Sequence, residues 1–112
     1  MTQQNFTSNH YSDAEGNPAG GTTYGPGFTI AWQNGPLGRG ENRIKPNGAF
    51  VETIINAAKD RIEMYQNSGF ACPENDAALK CLEEAVGHLN ARTSRRDSEG
   101  VEGTYEKDQT PA

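Results

Sequence analysis

The 112-residue sequence predicts an α+β protein, mainly an antiparallel α-helical hairpin preceded by a short β segment, oligomerising through its helices. Three observations lead there. Apolar residues recur at three- and four-residue spacing through residues 50–65 and again through 78–89, the period of two amphipathic helices. Residues 28–33, FTIAWQ, set Phe28, Ile30 and Trp32 against Thr29, Ala31 and Gln33, the alternation of a strand. Only 33% of residues are apolar and the mean hydropathy is -0.83, too little to close a core inside two helices, so several hairpins are expected to share one.

In chain order, residues 1–27 are rich in Gly, Asn, Ser and Thr. They offer little apolar surface to offset the entropy of ordering, so a flexible polar leader is expected there. The strand at 28–33 cannot stand alone and needs a neighbour, expected in another subunit. Next comes the loop GPLGRGENR, whose glycines suit either a tight turn or close backbone approach to a bound group. The first helix is expected from Asn47 as cap to a stop at Gly69. Val51, Ile55, Ala58, Ile62 and Tyr65 form one stripe, with Phe50, Ile54 and Ala57 beside it. The second helix is expected to start near PEND with Asn75 as cap, its apolar face made of Ala78, Cys81, Leu82, Ala85, Val86 and Leu89. The short link between them makes the helices antiparallel. Residues 28–106 form one domain in this reading, and 107–112 a polar tail.

Charge and cysteine content narrow the function classes. The net charge of -5 argues against a nucleic-acid coat or a membrane-surface binder. No apolar run is long enough to span a bilayer, and MTQQNFTSNHYSD has no secretion signature, which points to the cytoplasm. Cys72 and Cys81 fit a buried pair of thiols in a reducing compartment, or a disulfide loop. No metal-ligand spacing and no nucleophile–base arrangement is present, so neither a metal, a cofactor nor catalysis is expected.

Two constellations could bind a ligand. His88, Arg92, Arg95 and Arg96 share one side of the second helix, where guanidinium forks can grip phosphate oxygens in pairs. The same arginines also suit a helix C-terminus and could simply pair with Glu84, Glu99 or Glu102. Trp32, the single tryptophan, is either a core anchor or a surface on which a base stacks.

WQNGPLGRGENRIKPNGAFVE and ENDAALKCLEEAVGHLNARTSRRDSEGVEGTYE, with the hairpin joining them, resemble a family of phage anti-defence signal sponges. Its members include the first type of Thoeris anti-defence protein and the anti-CBASS cyclic-nucleotide sponges. The likeness covers about residues 28–106, and the Gln33–Gly35–Pro36 and Asn47–Gly48 pairings favour the Thoeris branch. It implies a homo-oligomer, a dimer-built hexamer, that sequesters a cyclic nucleotide in the host cytoplasm without cleaving it. The ligand would be a cyclic ADP-ribose isomer or a cyclic di- or trinucleotide. On this likeness the binding residues would be Trp32, Gln33, Gly35, Pro36, Asn47, Gly48, Phe50, Arg92, Thr93, Arg95, Arg96 and Glu102. Trp32 or Phe50 would stack on a base, backbone at Gly35 and Asn47–Gly48 would face ribose or phosphate, and the arginines would neutralise the pyrophosphate. The loop is then expected to face the arginines, of the same or a neighbouring chain. The alternative is a helical oligomeric interaction protein of a phage with no small-molecule ligand.

Overall fold

The computed structural model describes residues 3–108 and is α+β. It divides into two compact units: a sheet unit drawn from the chain up to Phe50 together with the segment from Val101, and a helical unit, Val51–Gly100.

In the sheet unit, β1 (Thr7–Ser12), β2 (Pro18–Gly25) and β3 (Phe28–Trp32) form an antiparallel meander in the order β1-β2-β3. Thr7 stands opposite Tyr24, and Thr23 stands between Ser8 and Ile30. The first turn is organised by Asp13, whose carboxylate accepts the backbone N–H groups of Glu15 and Asn17, each at 2.9 Å. Those bonds, Asn17 foremost, hold the Asp13 carboxyl below its ordinary range. The second turn is Pro26-Gly27, with Gly27 at φ +84, the proline-then-glycine order of a type II turn.

Two of these strands lie where a flexible leader was expected. Their ordering rests on the backbone ladder, the Asp13 turn and a 2.8 Å contact between the Ser8 and Thr23 hydroxyls, not on apolar burial. Such bonds leave no hydrophobic period in the sequence. β3, expected to seek its partner in another subunit, pairs with β2 of its own chain. Of the expected leader and tail, residues 1–2 and 109–112 lie outside the described residues.

After β3 the chain makes a single 3-10 turn, Gly40–Asn42, and returns beside the end of the strand. The Ala49 N–H donates to the Ala31 carbonyl at 2.7 Å, and the Gln33 N–H donates to the Ala49 carbonyl at 3.0 Å, a one-residue parallel bridge at Trp32. The approach is so close that a Cβ on Gly48 would stand 2.5 Å from the Trp32 carbonyl carbon and oxygen. The segment from Val101 folds onto the same loop, and Val101 is the one fully buried apolar side chain among the described residues, 1% exposed.

The helical unit consists of α1 (Val51–Gln66) and α2 (Pro73–Ser98). They pack together across a six-residue link, 67–72, which makes them antiparallel as expected. The link is held by a reciprocal clasp: Gln66 Nε2 donates to the Cys72 carbonyl at 3.1 Å, and Gln66 Oε1 accepts the Cys72 N–H at 3.0 Å. The helix starts differ from expectation at both ends. α1 begins at Val51 rather than under an Asn47 cap, because the Asn47 side chain is spent on the loop. α2 begins with Pro73, so its cap position is Cys72, three residues ahead of Asn75, because proline suits the first turn, where its missing N–H costs nothing.

The inner row of α2 is Ala78, Leu79, Leu82, Ala85, Val86 and Leu89, each half-buried. Leu79 takes the place expected for Cys81, whose thiol is exposed. Neither cysteine is in a disulfide. On α1, Ile54, Ile55 and Ile62 are half-buried, while Val51, Ala57, Ala58, Met64 and Tyr65 stay exposed. Neither helix buries an apolar side chain completely.

Candidate functional site

The sheet unit carries the glycine-rich loop and eight of the expected site residues. Trp32 ends β3 half-buried, and its Nε1–H donates to Thr23 Oγ1 at 2.7 Å. Gln33 bridges the mouth of the loop, its Nε2 donating to the Gly35 carbonyl at 3.2 Å and its Oε1 accepting the Asn47 N–H at 2.9 Å. Asn34 and Asn47 are joined twice: the Asn34 N–H donates to Asn47 Oδ1 at 2.8 Å, and Asn47 Nδ2 donates to the Asn34 carbonyl at 3.0 Å. The structure therefore brings Trp32, Gln33, Gly35, Asn47 and Gly48 together around one neck, with half-buried Pro36 and Phe50 following in the chain on either side.

Glu102 is engaged within its own unit. Its carboxylate takes Arg43 in a two-point grip, Nη1 to Oε2 at 2.8 Å and Nη2 to Oε1 at 3.1 Å, and its carbonyl accepts Arg39 Nη1 at 2.8 Å. The neighbouring Gly103 carbonyl accepts the Gly38 N–H at 2.7 Å, and the Tyr105 hydroxyl donates to the Pro18 carbonyl at 2.8 Å. Residues 102–105 thus strap the loop and the start of β2. The arginines that matter for loop shape, Arg39 and Arg43, were not singled out from the sequence. Their partner lies about sixty positions away, and nothing local signals such a pairing.

The helical unit carries Arg92, Thr93, Arg95 and Arg96 near the end of α2. Spacing places the arginines on one side, but burial separates them. Arg92 is exposed, Arg95 is half-buried and faces Glu99 one turn on at 3.4 Å, and Arg96 is buried at 8% exposure. Thr93 is exposed and donates its hydroxyl back to the Leu89 carbonyl at 3.2 Å. His88 is exposed as well. Among the described residues no group of three His, Cys, Asp or Glu side chains is arranged to hold a metal, and no helix is long and apolar enough to cross a membrane.

Residues 26–94 match the family described as Acb2/Tad1, hairpin domain, from the turn before β3 into the last turns of α2. The chain belongs to that family. Over 79 residues it is also 42% identical to a protein named Thoeris anti-defense 1 from Bacillus phage SBSphiJ7, a match covering 70% of this chain. That alignment spans 53% of the relative, so the chain matches about half its length. The Acb2/Tad1 segment takes in Trp32 through Thr93, while β1, β2, Arg95, Arg96 and the Glu102 strap lie beyond it.

Proposed function

We propose that this protein is a phage anti-defence sponge, which binds a cyclic nucleotide immune signal in the host cytoplasm and holds it without cleavage. The observation that carries this reading is the family match across the hairpin, joined to the identity with Thoeris anti-defense 1. A cyclic ADP-ribose isomer is the ligand put forward, with cyclic di- and trinucleotides as related candidates. Arg92, Arg95 and Arg96 supply the charge for its phosphates, Trp32 or Phe50 a face for a base, and backbone near Gly35 and Gly48 close approach to ribose. Thr93 adds a hydroxyl, and Glu102 acts by holding the loop. Gln33, Pro36 and Asn47 shape the neck.

The exposed apolar arc of α1, from Val51 through Ala58 to Tyr65, supports assembly through the helices into a dimer-built hexamer. A sponge must capture signal at low concentration, which asks for a dissociation constant around nanomolar, about -12 kcal/mol.

The test is retention. The protein is incubated with a cyclic ADP-ribose isomer or a cyclic dinucleotide, freed of unbound ligand, and heat-denatured. Intact ligand is expected in the supernatant; altered ligand would mean turnover, and none across the panel would defeat the proposal. Replacing Arg92 and Arg95 with alanine should weaken binding about 100-fold or more, since hydrogen bonds to charged groups contribute about 1.5–3 kcal/mol each. The oligomer should persist in native mass spectra. If this double variant binds as the parent does, the alternative of a ligand-free helical interaction protein gains instead.

A further inference from the structure

We propose that Thr23 is a positioning residue for Trp32, and that the β1–β2 hairpin serves to orient the indole for stacking. The inference rests on the proposed ligand-binding role of Trp32 and concerns what makes that role possible.

The indole N–H can only donate, and it has a partner inside the sheet: Thr23 Oγ1 at 2.7 Å. Thr23 is itself buried, 8% exposed, and its hydroxyl lies 2.8 Å from Ser8 Oγ on β1. Three strands therefore contribute one residue each to a short chain, Ser8 to Thr23 to Trp32. The register explains the reach. Trp32 stands opposite Gly21, and Thr23 is two residues along β2, on the same face and diagonal to the indole. The ring is tied at one end by β3 and at the other by its nitrogen, so both side-chain torsions are restricted before any ligand arrives. A half-buried aromatic plane held this way keeps part of its face for a base and loses little freedom on binding. Ser8 and Thr23 both precede the segment matched to the family, so this support comes from a part of the chain that the match does not describe.

Trp32 is the single tryptophan, so intrinsic fluorescence reads this ring alone. Three variants are compared with the parent: Thr23→Val, which keeps the shape and removes the acceptor, Thr23→Ser, which restores the oxygen, and Ser8→Ala on the exposed edge strand. The probes are a cyclic ADP-ribose isomer and a cyclic purine dinucleotide. Thr23→Val should lower the fluorescence anisotropy of the indole and weaken binding about tenfold with helical content unchanged. Thr23→Ser should recover both, and Ser8→Ala should shift both in the same direction by less. Parent-like affinity in Thr23→Val, or failure of Thr23→Ser to recover, would overturn the positioning role while the sponge reading stands. Should Thr23→Val not fold, parent-like anisotropy and affinity in Ser8→Ala would overturn it equally. If the parent retains neither probe, the sponge reading falls and the stacking role falls with it.

Discussion

The sheet unit and the helical hairpin are held by different physics. In the sheet unit, polar and glycine-rich strands are joined by named hydrogen bonds: Trp32 to Thr23, Gln33 to Asn47, Arg43 to Glu102. Among the described residues its single fully buried apolar side chain is Val101. In the hairpin, order comes from a repeated apolar row, Leu79, Leu82, Val86 and Leu89 on α2 with Ile55 and Ile62 on α1, and no apolar side chain is fully buried. The first arrangement depends on geometry at single atoms, whereas the second spreads its stabilisation over many half-buried contacts. A change of one methyl group should therefore matter more in the sheet unit than a larger change in the hairpin.

Gly48→Ala is the sharpest test of that contrast. The added Cβ would stand 2.5 Å from backbone atoms of Trp32, so the bridge between Ala49 and β3 must shift. A loss of about 3 kcal/mol is expected, read as an earlier transition in urea unfolding followed by Trp32 fluorescence. Leu82→Ala removes three carbons from the inner row of α2, but at a half-buried position. About 2 kcal/mol is expected, the low end for such truncations, measured by helical circular dichroism. If Leu82→Ala costs more than Gly48→Ala, the contrast between the two units is wrong.

The smallest expected effect is a pH dependence at the first turn. The Asp13 carboxyl is held below its ordinary value of about 3.9, chiefly by the Asn17 N–H. Its contribution to stability is therefore complete above that value and is lost as pH falls through the lowered folded-state value. Asp13→Asn removes this contribution, so it should lower stability slightly at neutral pH and flatten the acid limb of the stability curve. An unchanged acid limb would show that the turn bonds contribute nothing to its titration.

The hairpin was legible because amphipathic helices write their packing into a 3.6-residue period. Ile55, Ile62, Leu82, Val86 and Leu89 can be read off without coordinates. Its boundaries were less so: Asn47 and Asn75 both look like caps, yet Asn47 is drawn into the loop by Asn34 and α2 starts at Pro73. Cys81 fits the period almost as well as Leu79, and only packing places its thiol outside. At the candidate site, Trp32, the loop glycines and the arginines near the end of α2 stood out by residue type. Thr23, Ser8, Arg39 and Arg43 did not, because common polar residues acquire a role only from the partner that the fold brings to them.

By itself, then, the sequence determined an α+β chain with two antiparallel helices, a strand at Trp32 and a family likeness that the hairpin match supports. Periodicity and rare residue types are local quantities, and they survive without a fold. Tertiary structure alone decided that residues 7–12 and 18–25 are strands, that Glu102 straps the loop through Arg43, and that the indole of Trp32 points its nitrogen at Thr23. Those outcomes depend on directional bonds, some between residues tens of positions apart, and a hydrogen bond leaves no mark on composition until both partners are in place.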